Sequence, residues 1–219
     1  MVIITRVDHA AKRRAVARAT WAVIRRKGLD RTGIRDIAAE LGSTVSVVTH
    51  YFRTRDELIR FACAEVFEAY RAAAFDRASG TTGFEWLERL LLGGLPVEPG
   101  RELGWEVWIA FLGHSIGRPD ALVEEGVRQA ALRRLLEDAL TRLRDEGALL
   151  GDFDLTLETD LLATVIDGLG IGRVTQPDRY HPGRVALLLR SYLVQRFGYH
   201  PPAPATPGPN PSGRNPSPS

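Results

Sequence analysis

A chain of 219 residues with 44% hydrophobic content and a net charge of +2 is long enough for one large domain or two small ones, with ample material for a packed core. Its apolar runs all fall short of the roughly 18 residues of a membrane-spanning helix, and its single cysteine, Cys63, excludes a disulfide framework or a Cys-rich metal site. The charge is unevenly placed: residues 1–60 carry 13 Lys and Arg against 6 Asp and Glu, and the remainder carries 16 against 21, a basic head on an acidic body that points toward a nucleic-acid partner.

The N-terminus MVIITRVDH lacks the charged-then-apolar order of a secretory signal, so the expected location is cytoplasmic. From about Asp8 to Lys27, Ala15, Val16, Ala19, Ala22 and Val23 form a helical stripe closed by Gly28. Arg25, Arg26 and Lys27 suit the negative end of that helix and could equally face phosphates. The stretch TGIRDIAAELGSTVSVVTHY then reads as two short helices around a tight turn. Gly33 stands at the first N-cap, Ile34, Ile37, Ala38 and Leu41 make an apolar side, Gly42 turns the chain, and Thr44 opens a helix at Val45.

Thr54 and Glu57 form a capping box for a fourth helix, Arg55 to about Arg77. A fifth spans about Thr82 to Leu92, and a sixth, Arg101 to Ile116, is the richest in aromatics. Pro119 opens a long seventh helix to about Glu146, Asp152 or Asp154 can cap the eighth, and Pro182 starts the ninth. No period-two alternation flanked by hairpin turns occurs, so the predicted fold is all-α. Eight of the 13 prolines fall after Tyr199, where a stretch without apolar periodicity is expected to be disordered. The expected organisation is a helix-turn-helix domain over residues 1–53, a helical effector-binding and dimerisation domain over 54–198, and a Pro-rich tail over 199–219.

A helix-turn-helix lays its second helix in the major groove of double-stranded DNA. Val45, Ser46, Val47 and Thr49, short side chains near the start of that helix, are the candidates for base edges: hydroxyls exchange hydrogen bonds there and methyls meet thymine methyls. Val48 and Phe52 read as core. Trp86, Trp105, Trp108, Phe111 and His114 are natural linings for an effector cavity among helices five to seven, and aromatic faces of this kind suit a cationic or aromatic small molecule. No Ser/His/Asp grouping, Cys/His pair, phosphate loop or metal-ligand spacing appears, and the five histidines are scattered, so neither an enzyme, a metal site nor a cofactor is expected.

Gly28, Ile37-Ala38, Leu41-Gly42, Thr44, His50-Tyr51-Phe52, Arg55 and Glu57-Leu58, in that order, resemble the TetR family of bacterial transcriptional regulators. WEVWIAF, the long helix after Pro119 and IDGLG are similar to the BetI-like C-terminal branch of that family. Ser43-Thr44, Ser46 and Thr49 depart from the usual family residues at the turn and early recognition helix. The resemblance implies a sequence-specific DNA-binding regulator, a repressor released by a ligand, acting as a homodimer on a two-fold operator. It places Thr32, His50, Tyr51 and Arg55 at the phosphates, with Gly33 and Thr44 completing the DNA-binding set. It also puts the dimer interface on the last two helices, through Leu161, Leu162, Val165 and Leu169 with Val185, Leu188, Leu189, Tyr192 and Leu193, while Gly168, Gly170 and Gly172 could admit a close backbone. The rivals are an activator of the same fold and a helical ligand-binding or interaction protein that does not recognise an operator.

Overall fold

A computed structural model describes residues 2–199, with side chains from residue 9 onward. Within these the chain is all-helical: α1 Val2–Lys27, α2 Ile34–Glu40, α3 Val45–Tyr51, α4 Arg55–Ala78, α5 Gly83–Gly94, α6 Glu102–Ser115, α7 Pro119–Asp145, α8 Leu155–Thr175 and α9 Pro182–Phe197. The first helix therefore begins six residues before the expected Asp8. The expected disorder of the tail falls on residues 200–219, outside the described residues. Among the described residues no helix is long and apolar enough to cross a membrane.

Local chemistry accounts for the boundaries. Gly28 takes a left-handed φ of 79° and its amide closes on the Ile24 carbonyl, so α1 stops there. Gly33 has no side chain to cap α2, but the Asp36 carboxylate reaches back to accept its amide at 3.3 Å. Thr54 Oγ1 accepts from the Glu57 amide at 3.1 Å, while the Glu57 carboxylate accepts from the Arg53 amide at 2.9 Å; the reciprocal arm of the capping box thus lands one residue upstream of the cap. Asp154, not Asp152, caps α8, accepting from the Thr156 and Leu157 amides. His181 Nδ1 accepts from the Arg184 amide ahead of Pro182 at the start of α9.

Three apolar clusters hold the fold. The head is closed by Val16, Val23, Ile37, Ala38, Val48, Phe52 and Leu58, joining α1, α2 and α3 to the start of α4. The body is built from Leu87, Leu90, Leu95, Leu136, Leu140, Leu143, Leu162, Val185, Leu189 and Leu193. Between them, Ile24 and Leu29 from the head meet Ile59, Val66, Val107 and Phe111, so α4 and α6 carry the junction. α5 crosses α4 at Gly93, where a Cβ would lie 2.5 Å from the Ala74 Cα; only glycine permits that approach.

Two buried carboxylates tie the far end. Glu158 on α8 pairs with Arg196 of α9, and Glu88 on α5 accepts from Arg190 at 2.7 Å and from the Tyr199 hydroxyl at 2.9 Å. Tyr199 is buried against Phe84, so the packed body extends one residue past the expected boundary at 198.

Candidate nucleic-acid interface and internal cavity

α3 is anchored by Val48 and Phe52, both fully buried, which turns the opposite side of the helix outward. Val45 and Val47 are 41% and 40% exposed, and Thr44, Ser46, Thr49 and His50 are exposed with them. Thr44 makes no side-chain cap bond, so its hydroxyl is unused inside the chain. Thr49 Oγ1 donates back to the Val45 or Ser46 carbonyl, at 3.1 and 3.2 Å, and keeps accepting capacity toward a partner. His50 and Tyr51 form an edge-to-face trio with His9 of α1, with centroids 4.9 Å apart for His9–Tyr51 and 5.0 Å for His50–Tyr51. Tyr51 is half-buried and packs on the head core, while His50 stays exposed.

Thr32 and Arg55, expected at the phosphates, are both engaged inside the chain. Thr32 is buried, its hydroxyl donating to the Gly28 carbonyl at 2.8 Å. The Arg55 guanidinium donates to the carbonyls of Thr32, at 2.6 Å, and Leu29, and flanks Asp56. Together they clamp the α1–α2 loop onto the start of α4. Those carbonyls lie where no helix partner is available, so a charged fork from the next element satisfies them. Arg55→Ala is accordingly expected to lower head stability by about 1–3 kcal/mol while leaving the salt slope of DNA binding unchanged. Chemical denaturation and a salt titration of DNA affinity check the two halves.

The basic end of α1 is likewise engaged. Arg25 pairs with Glu106 of α6 at 3.0 Å, Arg26 with Glu40 at 2.8 Å, and Lys27 with Asp36 at 2.6 Å. The Lys27 hydrogen bond, with the Gly33 amide, holds the Asp36 carboxyl below its ordinary range. Arg13 lies over both the Phe52 and Phe61 rings, at 4.6 and 4.5 Å. Arg14, Arg18, Arg35 and Arg53 stand exposed on the head.

In the body, a cavity of about 110 Å³ opens between α4, α5, α6, α7 and α8. α4 contributes Cys63, Val66, Phe67, Tyr70, Arg71 and Ala74; α5 adds Leu90, Leu91 and Gly94; α6 adds Gly104, Trp105 and Trp108; α7 adds Arg128, Leu132, Leu135 and Leu136; and α8 adds Ile166 and Asp167. Two glycines shape it. A Cβ at Gly104 would lie 2.3 Å from the Tyr70 ring, and one at Gly170 2.0 Å from the Trp105 ring, so both aromatics lie directly on helix backbone. Trp105 Nε1 donates to the Gly94 carbonyl at 3.1 Å, and its ring meets Trp108 edge-to-face at 5.1 Å. Burial pushes the Cys63 thiol up to about 12 and raises the Tyr70 phenol and the Asp167 carboxyl above their ordinary ranges.

Of the aromatic residues expected to line an effector cavity, Trp105 and Trp108 line this one, while Phe111 and His114 line a separate cleft of about 380 Å³ between α4, α6 and the start of α7. Trp86 is instead core, with Arg142 over its ring at 4.1 Å. Phe111 belongs to the head–body junction, and His114 Nδ1 meets Asp30 of the α1–α2 loop at 2.8 Å. The reason is helical drift: from Trp105 to His114 is nine residues, 2.5 turns, which places them on opposite sides of α6. Tyr70, Arg128 and Asp167, which shape the cavity's polar groups, went unrecognised because α4, α7 and α8 show one apolar stripe each and no local motif marks where those stripes meet.

The expected dimer residues also divide. Leu162, Leu169, Val185, Leu189 and Leu193 are buried in the chain's own core, and Val165, Leu188 and Tyr192 are half-buried against it. Only Leu161 stands free, 40% exposed, in company with Leu157 and Leu187. Both helices are apolar on more than one side, and periodicity could not distinguish the side turned inward. Gly170 and Gly172 admit Trp105 and Tyr180 of the same chain rather than a second backbone; Gly168 is exposed.

Two family models cover most of this architecture. Residues 16–61 match bacterial regulatory proteins of the tetR family, and residues 84–198 match the C-terminal domain of BetI-type transcriptional repressors. The chain belongs to the TetR family of transcriptional regulators, with a BetI-type C-terminal region; it is a regulator, not an enzyme. It is 26% identical over 190 residues to the HTH-type transcriptional regulator PksA of Bacillus subtilis, spanning 85% of this chain and 90% of that protein. It is 23% identical over 192 residues to the regulator BetI of Escherichia coli, spanning 86% and 95%. A regulator from Saccharomonospora viridis solved in complex with choline superposes with a TM-score of 0.74 at 20% identity, over 85% of this chain and 97% of that one.

Proposed function

We propose that this regulator binds a two-fold operator as a homodimer through α3 and is released when a small molecule occupies the α4–α8 cavity. The observation that carries the reading is the outward face of α3. Two valines on a seven-residue helix stay two-fifths exposed beside free hydroxyls, a surface with no role inside the chain and the right chemistry for base edges. α6 supplies the coupling: Trp105 and Trp108 face the cavity, while Val107 and Phe111 press on the head and His114 and Glu106 pair with Asp30 and Arg25. A ligand that moves α6 therefore changes how each head sits, and with it the spacing of the two α3 helices on successive major grooves.

For the dimer, the supporting surface is Leu157 and Leu161 of α8 with Leu187 of α9, three leucines left at 40–53% exposure on adjacent helices. Paired Leu161→Asp and Leu187→Asp substitutions are expected to give a monomer by sedimentation at micromolar concentration, with the helical content intact; a dimer that survives them places the interface elsewhere. The function itself is tested by footprinting the full chain on genomic DNA fragments. Protection of a two-fold site, weakening steeply with salt, is the expected result. Failure to protect any fragment would leave a ligand-binding helical protein without an operator. The expected setting of such a regulator is the cytoplasm.

A further inference from the structure

Resting on the reading of the α4–α8 cavity as the effector site, we infer that this cavity takes a small protonated amine, a short apolar body carrying a primary or secondary ammonium whose N–H groups hydrogen-bond to Asp167. The charges decide the sign of the guest. The charged groups lining the cavity are Arg71 of α4, Arg128 of α7 and Asp167 of α8. Both arginines have partners, Arg71 with Glu68 at 2.7 Å and Arg128 with Glu125 at 2.6 Å. Arg133, further along α7, is held by Asp160 at 2.6 Å. Asp167 has no basic partner among the described residues; the Gln129 amide meets one of its oxygens at 3.3 Å. The pairs cancel, and the cavity is left with the charge of one carboxylate.

The same carboxylate sets the kind of cation. A carboxylate offers about four acceptor positions, and Gln129 fills one while also reaching Glu125 at 3.3 Å. Burial raises the Asp167 carboxyl above its ordinary range. Its charge is poorly solvated there, and positively charged N–H donors would offset that cost. A quaternary head brings charge without an N–H and has to rely on ring faces. Those are partly taken: Arg128 lies over the Trp108 ring at 4.5 Å, and Trp105 lies on Gly170. An anionic guest would face Asp167 and have to draw Arg128 from Glu125. The rest of the wall is apolar, with Val66, Leu90, Leu132, Leu135 and Ile166, so the body of the guest is hydrocarbon. The volume of about 110 Å³ suits a short chain or a single ring; an apolar protein cavity of about 150 Å³ holds benzene.

The test is calorimetric titration of the full-length protein with butylamine, butan-1-ol and butyltrimethylammonium, each also scored for release of the footprinted operator. The expected result is saturable binding of butylamine, with the alcohol and the quaternary cation each weaker by about tenfold or more. Asp167→Asn is expected to weaken butylamine by a similar factor and to leave butan-1-ol unchanged, a contrast that a merely structural role for Asp167 would not produce. Should the variant fail to fold, the difference between butylamine and butan-1-ol in the parent protein still reads the charge. Butan-1-ol or butyltrimethylammonium binding as tightly as butylamine overturns the inference and leaves the regulator reading standing, as does binding of none of the three. Butylamine binding without operator release sustains the amine site and removes the effector reading. Loss of the regulator reading shows separately, as the absence of any protected DNA.

Discussion

Val47→Asp is expected to abolish operator binding, by at least a hundredfold, without moving the melting temperature. Val47 is two-fifths exposed and has no packing duty in the head, so folding is indifferent to its replacement. At the DNA a carboxylate in the major groove meets the field of the phosphates and loses the methyl contact. A disrupted base contact costs about 1–3 kcal/mol, and a homodimer incurs it twice, which sets the expected scale. The neighbouring change Val48→Asp is the control with the opposite signature: Val48 is fully buried, and a carboxylate there unfolds the head before DNA is met. Electrophoretic shift assays and circular dichroism on both variants separate the two outcomes. An operator affinity for Val47→Asp within threefold of the parent would remove α3 from the groove.

The second large effect is expected at Gly170. A single methyl there would lie 2.0–2.4 Å from three atoms of the Trp105 ring, well inside contact distance. Trp105 is tethered by its indole N–H on the Gly94 carbonyl, and the space on its far side is the cavity. Gly170→Ala is thus expected to drive the indole into the cavity, costing about 3 kcal/mol and lowering the melting temperature by roughly 6–12 °C. Ligand binding goes with it, since the displaced ring takes the ligand's place. Gly126→Ala on α7 meets nothing within 4 Å and is expected to be neutral, or stabilising by about 0.5–1 kcal/mol, through helix propensity alone. Equal melting temperatures for the two variants would mean that the Trp105–Gly170 contact is not part of the fold in solution.

The chain's helices were legible because each carries its own punctuation: Gly28, Thr54, Pro119, Asp154 and Pro182 lie within a residue of a helix end. α3 was legible for a related reason, since a helix of seven residues has only one side to bury, and Val48 and Phe52 mark it. What sequence could not settle were choices between sides of long apolar helices. α8 and α9 each offer two apolar sides; of the leucines assigned to a partner only Leu161 stands outside, with Leu157 and Leu187 beside it, and the others turn to the chain's own core. Arg55 shows another limit. An arginine beside a DNA-binding helix suggests a phosphate, yet its guanidinium is claimed by two loop carbonyls 23 and 26 residues upstream. The cavity is a meeting of five helices, and it becomes visible only once they are assembled.

The position of the lone cysteine gives the cavity its own chemical clock. Cys63 lines that space and its thiol is pushed up to about 12, chiefly by burial and further by Glu125 and Glu124. The thiolate is thereby disfavoured, and alkylation of this half-buried sulfur is slower than that of an open thiol. The reaction rate with a small alkylating reagent therefore reports on the cavity wall at a single position, in unmodified protein. A bound guest that fills the cavity slows the clock; one that pries the helices apart speeds it.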